Sequence, residues 1–232
     1  MKRLIFIVAI TTSVISFAQN SVNEILKQYG FKTENVFSIL DNSKSNYSFN
    51  VKGSSHTYSD ANKTDKTTNR VYHFDNNKTE GQKFSLISVE GSTPTKRQIK
   101  HFNKEKNKIS ESEMKLTEKD FFVKTDDEKM LVIGFNMPKE ELPSKIAFMS
   151  HCTGFLYIDK QSEKITKIEI KSKEAFSMKI FHITELNLTV SLAYNDDKNL
   201  YYITKEETNT KVLILGSITN IDNEEIYSDF TF

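Results

Sequence analysis

With 32 Lys and Arg against 31 Asp and Glu, the 232-residue chain has a net charge of +1, and no global field pulls it onto nucleic acid. A hydrophobic share of 37% and a charged share of 27% exclude a disordered chain and a bundle of membrane helices. One Cys excludes an intramolecular disulfide and any multi-thiolate zinc site within the chain, while seven Gly and three Pro leave no linker-rich architecture.

The chain opens like an export signal. Lys2 and Arg3 precede an apolar run, Leu4 to Ile10, which Thr11, Thr12 and Ser13 dilute and Val14 and Ile15 extend; Ser16-Phe17-Ala18 then supplies small residues for cleavage. The expected cut after Ala18 leaves residues 19–232 as a single domain. A membrane anchor needs about 20 apolar residues, more than this segment offers. The Ser16-Phe17-Ala18-Gln19 junction, with heavy Lys and Asn usage, resembles secreted proteins of the Bacteroidetes, which implies a periplasmic location.

Ser21 and Glu24 make a capping box, and Val22, Ile25, Leu26 and Tyr29 fall on one helical stripe ended by Gly30, which predicts a helix over 21–29. A further turn or two is expected at 33–41, with Val36, Phe37 and Leu40 on one side. From residue 47 the period becomes two. Tyr47, Phe49 and Val51 face one way, 70–74 puts Tyr72 and Phe74 together, and 83–90 is more uniformly apolar. Strands also fit 129–136, 145–151, 154–159, 164–171 and 176–184. Leu186, Leu188, Val190, Leu192 and Tyr194 give the clearest alternation; Asn195 to Asn199 is a turn, 200–205 returns, and 212–218 and 226–232 close the series. Roughly ten or eleven strands without βα alternation predict an antiparallel sheet, a mainly β fold. One excursion interrupts it. After Pro94, Thr95 and Gln98 form a second capping box, Ile99 and Phe102 a narrow stripe, and Lys96, Arg97, Lys100, Lys104, Lys106 and Lys108 crowd against Glu105.

Signatures of catalysis are missing: there is no Gly-x-Ser-x-Gly elbow, Walker loop, His-Glu-x-x-His or Gly-x-Gly-x-x-Gly. His151 and Cys152, placed on one strand, would leave opposite faces, and Cys152 reads as a small buried hydrophobe. His56, His73, His101, His151 and His182 share no metal-ligand spacing, and Glu140-Glu141 and Asp196-Asp197 sit in charged turns. No catalytic residue, metal or cofactor is expected. Lys96, Arg97, Lys100 and Lys104 read first as a solvated helix face and second as a contact for an anionic surface such as lipid headgroups. Nucleic acid is not the expected partner, since Phe102 alone interleaves with the cations.

Aromatic weight says more: 17 Phe and 9 Tyr with no Trp. Tyr47, Phe49, Tyr72, Phe74, Phe84, Phe155 and Tyr157 are expected on a single sheet face, with Val51, Leu86, Ile168, Ile170, Leu188 and Val190 completing the lining. A curved sheet with such a face must cover it with helices or fill it with ligand. With three short helices to hand, a cavity and a filled core are both open.

The capped first helix, Tyr47-Ser48-Phe49-Asn50-Val51, the pair Gly154 to Asp159 and Ile165 to Ile170, and Tyr227-Ser228-Asp229-Phe230 together resemble the LolA/LolB-like superfamily of periplasmic lipoprotein carriers. The resemblance implies an unclosed antiparallel β half-barrel of about eleven strands with short helices as a lid, holding acyl chains in a hydrophobic cavity. Phe84 to Thr95 is also similar to a Trp-x-Leu-Leu-x-Val-x-Gly-x-x-Pro-Thr segment of secreted proteins, with Phe84 in the place of Trp. The expected function is therefore a monomeric, non-catalytic periplasmic carrier of a lipid or other hydrophobic molecule. Two alternatives stand beside it. One is an interaction protein with a filled core and a partner on an edge strand. The other is an outer-membrane barrel ending at Ile226 to Phe232, which charges on both faces around Lys164, Lys167, Glu169 and Lys171 oppose.

Overall fold

The period-two pattern becomes eleven strands in the computed structural model, which describes residues 21–31, 45–59, 61, 63–106, 116–178, 181–214 and 216–232. The expected export signal at 1–18 and the turns expected at 33–41 lie outside the described residues. The strands are β1 (Ser48–Ser59), β2 (Thr64–Phe74), β3 (Phe84–Val89), β4 (Phe121–Asp126), β5 (Met130–Asn136) and β6 (Cys152–Asp159). They continue with β7 (Lys164–Ser172), β8 (Phe176–Met178), β9 (Phe181–Asn195), β10 (Leu200–Ile214) and β11 (Ser217–Thr231). All pair antiparallel in the order β3-β2-β1-β11-β10-β9-β7-β6-β5-β4, and β8 prolongs the β7 edge of β9. The edge strands β3 and β4 do not meet, so the sheet is unclosed. An outer-membrane barrel requires that closure, and this sheet does not have it. No helix among the described residues is long and apolar enough to cross a membrane.

Among the described residues, two α-helices rest on the sheet. In α1 (Val22–Gln28) the Ser21 hydroxyl accepts from the Glu24 N–H at 3.3 Å while the Ser21 N–H donates back to Glu24 Oε2 at 3.2 Å. Leu26 of α1 is fully buried, and Asn23 Nδ2 donates to Glu118 Oε2 at 3.0 Å, which ties the helix to the segment before β4. In α2 (Lys96–Lys106) the second box forms as expected: the Thr95 N–H reaches Gln98 Oε1 at 2.8 Å and the Gln98 N–H reaches Thr95 Oγ1 at 3.3 Å. Phe102 is the buried residue of α2, 5.3 Å from Tyr72 ring to ring.

The buried side chains form one cluster that runs from Phe84 on β3 to Phe121 on β4, along the concave face. Several boundaries differ from the sequence pattern. Residues 145–151, expected as a strand, lie in a 3-10 helix, Ser144–His151. Pro143 supplies its first turn, with the Ile146 N–H donating to the Pro143 carbonyl at 2.9 Å, and the apolar spacing serves a helical face as well as a strand. Residues 212–218 are no separate strand: they contain the β10–β11 turn, where Gly216 has φ of 81°. The segments 200–205 and 226–232 are parts of two 15-residue strands whose polar middles pair through Lys205–Glu224 at 2.7 Å and Asn209–Asp222 at 3.0 Å. The 176–184 segment divides into β8 and the start of β9, and β4 carries no pattern that foretold it.

Candidate functional site

Tyr47 just before β1, Phe49 and Val51 of β1, Tyr72 and Phe74 of β2, Phe84 of β3, Ile168 and Ile170 of β7 and Val190 of β9 are all buried in one cluster on the concave face. They pack on one another. Phe49 stacks on Phe74 at 4.8 Å, Phe74 meets Phe84 at 4.9 Å, and Phe49 meets Tyr227 at 5.4 Å. Leu86 and Leu188 are half-buried beside this group. The protein's own rings thus occupy the aromatic part of the face.

Phe155 and Tyr157 do not join them. On β6 the buried positions are Cys152, Gly154, Leu156 and Ile158, so Phe155 and Tyr157 lie on the convex face. Lys124 covers the Phe155 ring at 3.8 Å and Lys167 the Tyr157 ring at 3.9 Å. The Tyr157 hydroxyl donates to Glu169 at 2.6 Å, and Lys167 and Lys171 each reach that carboxylate at 2.8 Å. Burial opposes the charge of Glu169, yet these three donors outweigh it and hold the carboxyl down to about 2; burial and Glu169 push the Tyr157 phenol up to about 12. His151 ends the 3-10 helix, bonded to Glu174 at 2.9 Å, while buried Cys152 opens β6 with its thiol pushed up to about 11 by burial.

Beyond the rings, the concave face turns polar. Glu225 of β11 accepts from Tyr72 at 2.8 Å, from Arg70 at 2.9 Å and from Lys106 of α2 at 3.1 Å, and Arg70 also reaches Glu105 at 3.2 Å. Its register partner is Glu206 of β10, and Tyr227 stands within 3.4 Å of both carboxylates. Burial opposes ionisation of Glu225, but Lys106, Tyr72 and Arg70 prevail and its carboxyl stays below the usual range. Burial and the charge of Glu225 push Glu206 above it. This network clamps α2 to the sheet. Lys96, Arg97, Lys100 and Lys104 project from the rest of α2 into solvent.

An opening among the described residues lies at the other end. A cleft of about 690 Å³ is bounded by the chain after α1, the start of β1, the β6–β7 turn and the β9–β10 hairpin. Tyr29, Phe31, Tyr47, Tyr194 and Tyr201 with Leu200 form its apolar wall, Gln28, Ser45, Asn46 and Asn199 add polar side chains, and Lys164 and Glu163 bring charge to it. Tyr201 meets Tyr194 at 4.7 Å and Phe31 edge-on at 6.2 Å. Burial raises the Tyr201 and Tyr47 phenols, so both stay protonated. Of the residues expected to line a cavity, Tyr47 alone borders this cleft. The others in the wall were missed, although Tyr194 and Tyr201 flank the readable Asn195–Asn199 turn and a cross-strand pair of tyrosines beside a turn is a visible signal. No three His, Cys, Asp or Glu side chains converge as a metal site among the described residues.

No family model matches the chain, and no curated protein matches it. Two solved structures align with most of the chain. One is an outer membrane lipoprotein-sorting protein domain from Vibrio parahaemolyticus, 10% identical over 80% of this chain and 85% of that one, with a TM-score of 0.33. The other is a LolA superfamily protein from Nitrosomonas europaea, 9% identical over 80% and 86% of the two chains, with a TM-score of 0.30.

Proposed function

We propose that this chain is a non-catalytic binding protein that carries a hydrophobic molecule, a lipid or acyl chain, in the periplasm to which residues 1–18 direct it. One observation carries the reading: an aromatic cleft of about 690 Å³ opens at the end of a continuous apolar core. That volume falls within the range of small-molecule sites, and the wall combines five aromatic rings and Leu200 with the polar side chains of Gln28, Ser45, Asn46, Glu163, Lys164 and Asn199. Transfer from water into such a wall gains about 25 cal/mol per Å² of apolar surface buried. The exposed cations Lys96, Arg97, Lys100 and Lys104 would meet an anionic membrane surface while the ligand is exchanged.

Mass spectrometry of an organic extract of the protein from its own cell envelope, with uptake of a fluorescent fatty acid by the delipidated protein, tests the reading. Bound lipid and saturable uptake are expected; an empty extract with no uptake would end it. Vesicle binding that survives charge reversal at Lys96, Arg97, Lys100 and Lys104 would remove the membrane contact alone.

A second reading has its own observation. The edge strands expose Ile87 on β3, at 50%, and Phe122 and Val123 on β4, at 39% and 38%, as a docking edge for a partner would. A crosslinked partner lost on charge substitution at these three residues, in protein that carries no ligand, would favour it.

A further inference from the structure

Lys164 and Tyr201 bring two donors to a cleft that also holds Glu163 and the amides of Gln28, Asn46 and Asn199. Lys164 opens β7 at its rim, with Nζ 3.7 Å above the Tyr194 ring and 3.5 Å from Asp196, a carboxylate 84% exposed and therefore a weak competitor. Tyr201 Oη already accepts the Ile165 N–H at 3.1 Å, and among the described residues nothing takes its proton in turn. A donor pair of one ammonium and one phenol, set beside Phe31 and Leu200, matches an anionic oxygen at the end of an apolar chain. Glu163 borders the same cleft and acts against an anion, a feature that gives the idea an internal control.

We infer that the cleft selects a long-chain carboxylate, with the head on Lys164 and the Tyr201 hydroxyl and the tail along Phe31 and Leu200. The inference rests on the carrier reading and adds the class of head group. A neutral head would leave Lys164 with only the exposed Asp196 carboxylate and a cationic head would be repelled by it, so chain length alone would not decide binding.

Titration of the delipidated full chain with cis-parinaric acid and with its methyl ester at neutral pH separates the two claims. The acid is expected to bind about 10-fold more tightly than the ester, the scale of one charge-assisted hydrogen bond. Lys164→Met should bring the acid down to the level of the ester and leave the ester unchanged, Lys164→Arg should keep most of the preference, and Glu163→Gln should tighten the acid alone. Equal binding of acid and ester by the unaltered protein, or equal loss of both in Lys164→Met, overturns the carboxylate assignment and leaves the carrier reading standing. Failure of both probes to bind overturns the carrier reading as well.

Discussion

Glu206 and Glu225 are cross-strand partners whose surroundings drive their carboxyls in opposite directions. Glu225 is held low, so its contribution to stability is complete above the ordinary Glu value of about 4.3 and is lost as pH falls through its lower folded value. Glu206 is held high: the folded protein takes its proton at a higher pH than the unfolded chain does, so its ionised form weakens the fold at neutral pH and the deficit fades on acidification. Glu206→Gln should therefore raise the midpoint of urea unfolding at pH 7, with the gain disappearing towards pH 4. Glu225→Gln, which strands Lys106 and leaves Arg70 with Glu105 alone, should cost roughly 3 kcal/mol at pH 7. Cys152 gives a second test, since burial keeps its thiol protonated: iodoacetamide should leave it untouched in the native protein at pH 8 and label it readily in urea. The same scale explains why the face of β6 was misread. Its inward residues include the small Cys152 and Gly154, and at Gly154 the Phe135 ring occupies the space: a Cβ there would stand 1.9 Å from that ring. Size pointed to Phe155 and Tyr157, and lysines on the convex face shelter both.

Both helices were legible because a capping box and an apolar stripe are local signals, complete within a few residues. β9 was legible for a similar reason, as its inward positions are apolar for most of their length. The middles of β10 and β11 were not. Their inward positions carry Glu206 and Glu225, so hydrophobicity lost its period where the sheet builds a charge network, and the partners that pay for those charges lie on β2 and α2. The cleft was hidden for the same physical reason, since its wall comes from segments that meet only after folding. The clamp on α2 is testable as a unit. Phe102→Ala removes its one buried anchor and should cost about 3 kcal/mol, with amide exchange over 96–106 rising well above that of β1. If the helix stays protected in that variant, the ion pairs of Lys106 and Arg70 are the stronger part of the clamp.

At the scale of the whole molecule, the concave face combines a packed aromatic region, a charged region under α2 and an aromatic cleft at one end, in a sheet with two free edges. β11 holds this together. It lies between β1 and β10, with Asn223 paired to Ser55 on one side and Thr208 on the other. Proline at Asn223, between two hydrogen-bonded neighbours, should thus cost about 3 kcal/mol or more, read from thermal melts followed by circular dichroism. β11 is also the last strand in chain order, and without it no hydrogen-bonded neighbour links β1–β3 to the rest. The two portions join only when β11 pairs with both β1 and β10, a step of high sequence separation that makes completion of the sheet the slow part of folding.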